Sequence, residues 1–103
     1  MSKSLKELQD EVVAKREAWG FSGDTLERLL VNFASETGEL IGAAAKEHLY
    51  GKARVPDEDR SSVMHELADL LVYMFAIANA VGVDMERALE SKIRLNDKRF
   101  AKK

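Results

Sequence analysis

A chain of 103 residues, 46% hydrophobic and 33% charged, is one domain with material for a core, small enough that a subunit interface would add to its stability. Its formal net charge of -2, with basic residues spread along the chain, gives no nucleic-acid surface, and the absence of cysteine excludes disulfides, iron-sulfur clusters and thiolate zinc sites. The stretch Met1 to Glu7 lacks the apolar centre of a signal peptide, so a cytoplasmic protein is expected.

Ser4 with Glu7 forms a capping-box pattern that opens a first helix, along which Leu5, Leu8, Val12 and Trp19 recur at near-helical intervals until Gly20 stops it. Phe21 to Asp24 is a loop, and Asp24 with Glu27 is the capping box expected to open the second helix. Leu26, Leu29, Leu30, Phe33, Leu40, Ile41 and Ala44 give that helix an apolar face up to about Tyr50, where Gly51 ends it. Gly38 and Gly42, with Ala43 to Ala45, make a surface of small side chains. Each glycine costs about 1 kcal/mol against alanine inside a helix, which a closely approaching neighbour helix would offset. Residues 51–59 hold the only proline and no periodicity and are expected to form a surface loop, in which Lys52 and Arg54 either reach a phosphate or are simply solvated.

A third helix begins between Asp57 and Ser62 and runs to about Ala80. From Ala68 to Val81 it is apolar on nearly every side, the pattern of a helix buried all round. The run from Leu67 to Val83 contains Asp69 and Asn79 and barely reaches the roughly 17 residues a bilayer span requires, so it is expected to be a core helix with no membrane partner. Val81 to Val83 is a turn, and Asp84 caps a fourth helix through about Phe100. Four helices with mainly short connections predict an all-α, antiparallel four-helix bundle.

Acidic residues three apart share a helix face. The spacing occurs four times, and Glu7 with Asp10 and Asp24 with Glu27 are accounted for by helix N-termini. Glu36 with Glu39 and Glu66 with Asp69 are not. Two carboxylates about 5 Å apart at an effective dielectric near 20 repel by roughly 3 kcal/mol, so two such pairs facing each other need a cation. Four carboxylates without thiolate select a hard metal, Mg2+ first and Mn2+ next. Di-iron carboxylate bundles place histidine three residues after glutamate, and neither His48 nor His65 stands there.

Tyr73 follows Asp69 by four residues and shares its face. Lys92, Asn96 and Arg99 line up as a polar stripe on the last helix, suited to triphosphate oxygens and sugar hydroxyls or to bulk solvent. Trp19, the only tryptophan, either stacks on a base or plugs the core. No glycine-rich phosphate loop and no Ser/His/Asp or cysteine nucleophile is present.

Glu36-Thr37-Gly38-Glu39-Leu40, followed by Glu66-Leu67-Ala68-Asp69-Leu70-Leu71, resembles the MazG-like nucleotide pyrophosphohydrolases of the all-α NTP pyrophosphatase superfamily. Gly82 to Glu86 and Lys92 to Phe100 are similar to that family's closing segment, so the resemblance spans roughly residues 20 to 100. It implies a homodimeric or homotetrameric enzyme. Metal held by Glu36, Glu39, Glu66 and Asp69 would clamp the phosphates, and a carboxylate would help water attack the α-phosphorus, giving a nucleoside monophosphate and pyrophosphate. It also implies that Tyr73, Lys92, Asn96 and Arg99 touch the nucleotide. Ser35 and Thr37 depart from the family's usual residues beside Glu36. A phosphoribosyl-ATP pyrophosphatase and a non-catalytic helical interaction module are the alternatives.

Overall fold

Ser4 opens the first helix as the sequence predicts. Its Oγ accepts from the backbone of Glu7 while the Glu7 carboxylate accepts from the backbone of Ser4, and α1 runs Leu5–Ala18. The computed structural model describes residues 2–49 and 62–101. Over these residues the fold is all-α, with four helices and no strand: α1, α2 (Leu26–Ala44) continued by one π-helical turn (Ala45–Leu49), α3 (Ser62–Val81) and α4 (Met85–Arg99). The expected loop at 51–59, with Lys52 and Arg54, and the helix end at Tyr50 lie outside the described residues.

Glycine ends two of the helices by the same device. After α1, Gly20 adopts φ 93° and donates to Glu17 O, while Phe21 N reaches back to Arg16 O at 2.9 Å. After α3, Gly82 adopts φ 76° and donates to Asn79 O, and Val83 N reaches Ala78 O at 2.8 Å. Both are Schellman closures, which need a left-handed residue that glycine supplies without strain. Asp84 then caps α4, its Oδ1 accepting from Glu86 N and Arg87 N.

The second helix starts one residue later than expected. Its N-cap is Thr25, whose Oγ1 accepts from Arg28 N, and not Asp24. Asp24 Oδ2 instead accepts from Arg16 Nη2 at 2.8 Å, and its Oδ1 lies 3.8 Å from Arg28 Nη1. A well-shielded ion pair with a neighbouring helix has taken the carboxylate that the local pattern assigns to a cap.

α3 is the central element, packed chiefly on α2 and also on α1, while α4 leans on α1. The core is small: Leu29 from α2 with Phe75, Ala76 and Ala78 from α3 are the buried apolar residues among those described. The expectation that α3 is covered all round from Ala68 to Val81 fails among the described residues, since Ala68, Leu71, Ala80 and Val81 are exposed, Val81 by 52%. Residues 63–81 are also long and apolar enough to cross a membrane, although part of that surface is packed on α1 and α2. The glycine surface of α2 is open as well. A Cβ added at Gly38 or Gly42 would meet nothing within 4 Å, so no neighbour helix within the described chain explains either glycine.

Candidate metal centre

Glu36 and Glu39 stand one turn apart in the middle of α2, and Glu66 stands in the second turn of α3. The packing of these two helices brings one carboxylate oxygen from each of the three acids within 4.8 Å of one another. Glu36 and Glu66 are half-buried and Glu39 is exposed. Glu36 Oε2 and Glu66 Oε2 are buried and accept no hydrogen bond. A buried carboxylate oxygen without a partner is costly, and a cation is one of the few things that can satisfy several at once.

The electrostatics carry the same message. Glu36 is pushed up from 4.5 to about 7, first by the neighbouring Glu39 carboxyl, which favours a proton between them, then by burial, then by Glu66. An acid raised by other acids and by desolvation is held in its neutral form for want of positive charge. Oxygen-only donors of this kind fit Mg2+ or Mn2+ and are poor ligands for softer metals.

Asp69 stands three residues beyond Glu66 and is exposed, outside the trio whose oxygens converge. The sequence pattern places it on a buried helix. The missing cover over α3 explains why its side chain meets solvent instead. Thr37, between the two α2 acids, spends its hydroxyl on the Phe33 carbonyl at 2.9 Å and so offers nothing to the cluster.

Tyr73 lies two turns beyond Glu66, about 10 Å along α3. Its ring is covered by the Arg16 guanidinium at 5.5 Å, and the same guanidinium stands 5.0 Å over Phe21. Arg16 is therefore held by two rings and Asp24, and it ties the end of α1 to α3. Neither Arg16 nor this stacking was evident in the sequence pattern. The helical intervals of α1 drew attention to its apolar residues, and Tyr73, the partner that ties Arg16 to α3, is distant in order. Trp19 is no core plug in this chain, being the C-cap of α1 and 61% exposed. On α4, Lys92 and Arg99 are exposed and Asn96 is half-buried, with the Arg99 guanidinium 5.3 Å from the Phe100 ring. Among the described residues no hydrogen bond or ion pair joins these α4 side chains to the acid cluster.

Two further features lie outside the acid cluster. A cavity of about 140 Å³ between α1, the following loop and α3 is lined by Val13, Arg16, Phe21, Asp24, Leu29 and Asn79. Glu47 Oε2, in the π-helical turn, is buried without a hydrogen bond, 3.9 Å from His48 Nε2. Its place eleven residues after Glu36 is the helical interval that would have flagged it. That interval also sets it about 16 Å along the axis, too far for the same ion.

The structure is thus an all-α fold in which a pair of carboxylates from α2 and one from α3 converge into an acidic cluster. The chain belongs to the MazG nucleotide pyrophosphohydrolase domain family, whose model matches residues 24–100 and so takes in α2, α3 and α4. No curated protein matches the chain. Membership implies a hydrolase acting on nucleotides, in a family that uses a divalent metal.

Proposed function

We propose that this protein is a Mg2+-dependent pyrophosphohydrolase of nucleoside and deoxynucleoside triphosphates, releasing a nucleoside monophosphate and pyrophosphate, and that Mn2+ can replace Mg2+. The observation that carries the reading is the convergence of Glu36, Glu39 and Glu66, two of them with buried oxygens that accept no hydrogen bond, in a chain whose family hydrolyses nucleotides. When bound, the metal supplies charge neutralisation at the phosphates and lowers the pKa of water.

In this reading the three converging acids hold the metal from α2 and α3, and Asp69, one turn beyond Glu66, joins them from the exposed side. Tyr73 and Trp19 offer ring surface for the nucleoside, and Lys92, Asn96 and Arg99 offer donors to phosphate and sugar oxygens. The enzyme works as a cytoplasmic homodimer or homotetramer, since one copy leaves α3 uncovered.

Pyrophosphate release measured over the common and modified nucleoside triphosphates with Mg2+ tests the reading. Release from one or more of them, together with a rise in melting temperature on adding Mg2+, is expected. Turnover of phosphoribosyl-ATP alone would move the chain to histidine biosynthesis. Absence of both turnover and metal-linked stabilisation would leave a non-catalytic helical module.

A further inference from the structure

Gln9 is the one buried polar residue among those described, 3% exposed, although it sits in the second turn of a surface helix. Both ends of its amide are used. Nε2 donates to Val83 O at 2.8 Å, and Oε1 accepts from Met85 N at 2.8 Å. These two backbone groups flank Asp84 and belong to the turn between α3 and α4.

The accepting bond fills a specific vacancy. A helix begins with four backbone N–H groups that have no partner inside the helix. In α4 these belong to Asp84, Met85, Glu86 and Arg87, because Ala88 N already reaches Asp84 O at 2.9 Å as the first bond of the helical ladder. Asp84 Oδ1 takes those of Glu86 and Arg87 at 2.9 and 3.2 Å, and Gln9, from another helix, takes that of Met85. The debt is returned, because Glu86 Oε1 in the first turn of α4 accepts from Lys6 N in the first turn of α1 at 3.1 Å. The N-termini of α1 and α4 thus cap each other, and each bond runs from a side chain to backbone, which fixes helix against helix more tightly than contacts between flexible side-chain tips.

We propose that Gln9 is a positioning residue for nucleotide binding: by clamping the α3–α4 turn to α1 it sets the direction of α4, and hence where Lys92 and Asn96 stand. The proposal rests on the reading of α4 given under Proposed function. Nearly all of α4 from Arg87 onward is exposed, Asn96 being the half-buried exception, so its first turn is where its course is fixed. Asn96 lies eleven residues beyond Met85, about 16 Å along the axis, and a tilt of roughly 10° at the clamp moves it by about 3 Å. That is enough to break a hydrogen bond to a ligand.

The test uses Gln9→Met, which keeps length and burial without donor or acceptor, and Gln9→Glu, which keeps an acceptor for Met85 N and loses the donor to Val83 O. The full-length protein is assayed with Mg2+ and whichever common deoxynucleoside triphosphate the wild type hydrolyses fastest. Gln9→Met is expected to raise KM fivefold or more while kcat changes less than twofold, with Gln9→Glu between it and the wild type. In a Lys92→Ala/Asn96→Ala background the same change should alter KM less than twofold, since the groups it positions are gone.

Hydrogen exchange supplies a readout independent of turnover, with Met85 and Glu86 amides losing at least tenfold protection in Gln9→Met while those in the middle of α2 and α3 keep theirs. If Gln9→Met fails to fold, Gln9→Glu is carried through the same comparisons. A KM effect that persists undiminished in the double-alanine background, or an unchanged KM despite loosened α4 amides, overturns the positioning role. A wild type that hydrolyses no nucleotide removes the proposed reaction and the positioning role together, whereas unchanged exchange in an active enzyme overturns the clamp alone.

Discussion

Glu36 keeps its proton to about pH 7, where an isolated glutamate loses it near 4.5. The sign of the resulting pH dependence follows from which state binds the proton more tightly. Between these values the folded chain binds it and the unfolded chain releases it, so the stability this group contributes is complete below about 4.5 and lost as pH rises through about 7. The metal-free protein should therefore melt at progressively lower temperature across that window, and Glu36→Gln should flatten the slope. Mg2+ competes with the proton for the same oxygens, so the rise in melting temperature that it causes should be larger at pH 8 than at pH 5.5. Melting curves in chelator and in Mg2+ at several pH values check both expectations, and a Mg2+ effect that grows toward acid pH would contradict them. In the turnover assay, removing any one of Glu36, Glu39 or Glu66 as its amide should cost about 10²–10³-fold in rate, the range seen when one preorganised electrostatic partner is lost. Asp69→Asn belongs in the same series, and near-normal activity in all four would dismantle the site.

The start of α2 separates a local signal from a tertiary one. Thr25 is the cap, so Thr25→Ala should cost about 1 kcal/mol in denaturant unfolding. Asp24→Ala should cost more, about 1–3 kcal/mol, because it leaves the Arg16 guanidinium, largely shielded from water, without its carboxylate. A larger loss from Thr25→Ala than from Asp24→Ala would mean that the cap outweighs the Arg16–Asp24 ion pair and would overturn this ranking. The same division explains what the chain disclosed before its structure. Ser4, Gly20, Gly82 and Asp84 were legible because capping and left-handed turns depend on residues within five positions of one another. The convergence of Glu36, Glu39 and Glu66 was legible as part of an expected set of four with Asp69, because two identical helical spacings on adjacent helices leave few ways to face. Gln9 and Arg16 carried no such mark, since what defines them is a carbonyl or a ring more than fifty residues away in the cases of Val83 and Tyr73. Asp69 and the glycines of α2 are exposed where the pattern calls for cover, because that cover is a neighbour that the described residues do not provide.

At the scale of the whole molecule, a second copy of the chain is the expected cover for the exposed side of α3. On α3, Met64, Leu67 and Leu71 form an exposed apolar stripe at intervals of three and four, beginning beside Glu66 of the metal cluster. A second copy seated there would cover the stripe and close the solvent side of the acids, which is where Asp69 now lies. The wild type should therefore sediment at micromolar concentration as a dimer or tetramer of the 11.5 kDa chain. Leu67→Glu, which places a charge in the middle of the stripe, should shift it toward monomer and reduce turnover in parallel. Activity that returns as the concentration of this variant is raised would tie the loss to assembly and not to chemistry, by mass action. A compact monomer with full activity would refute the interface and the shared site together.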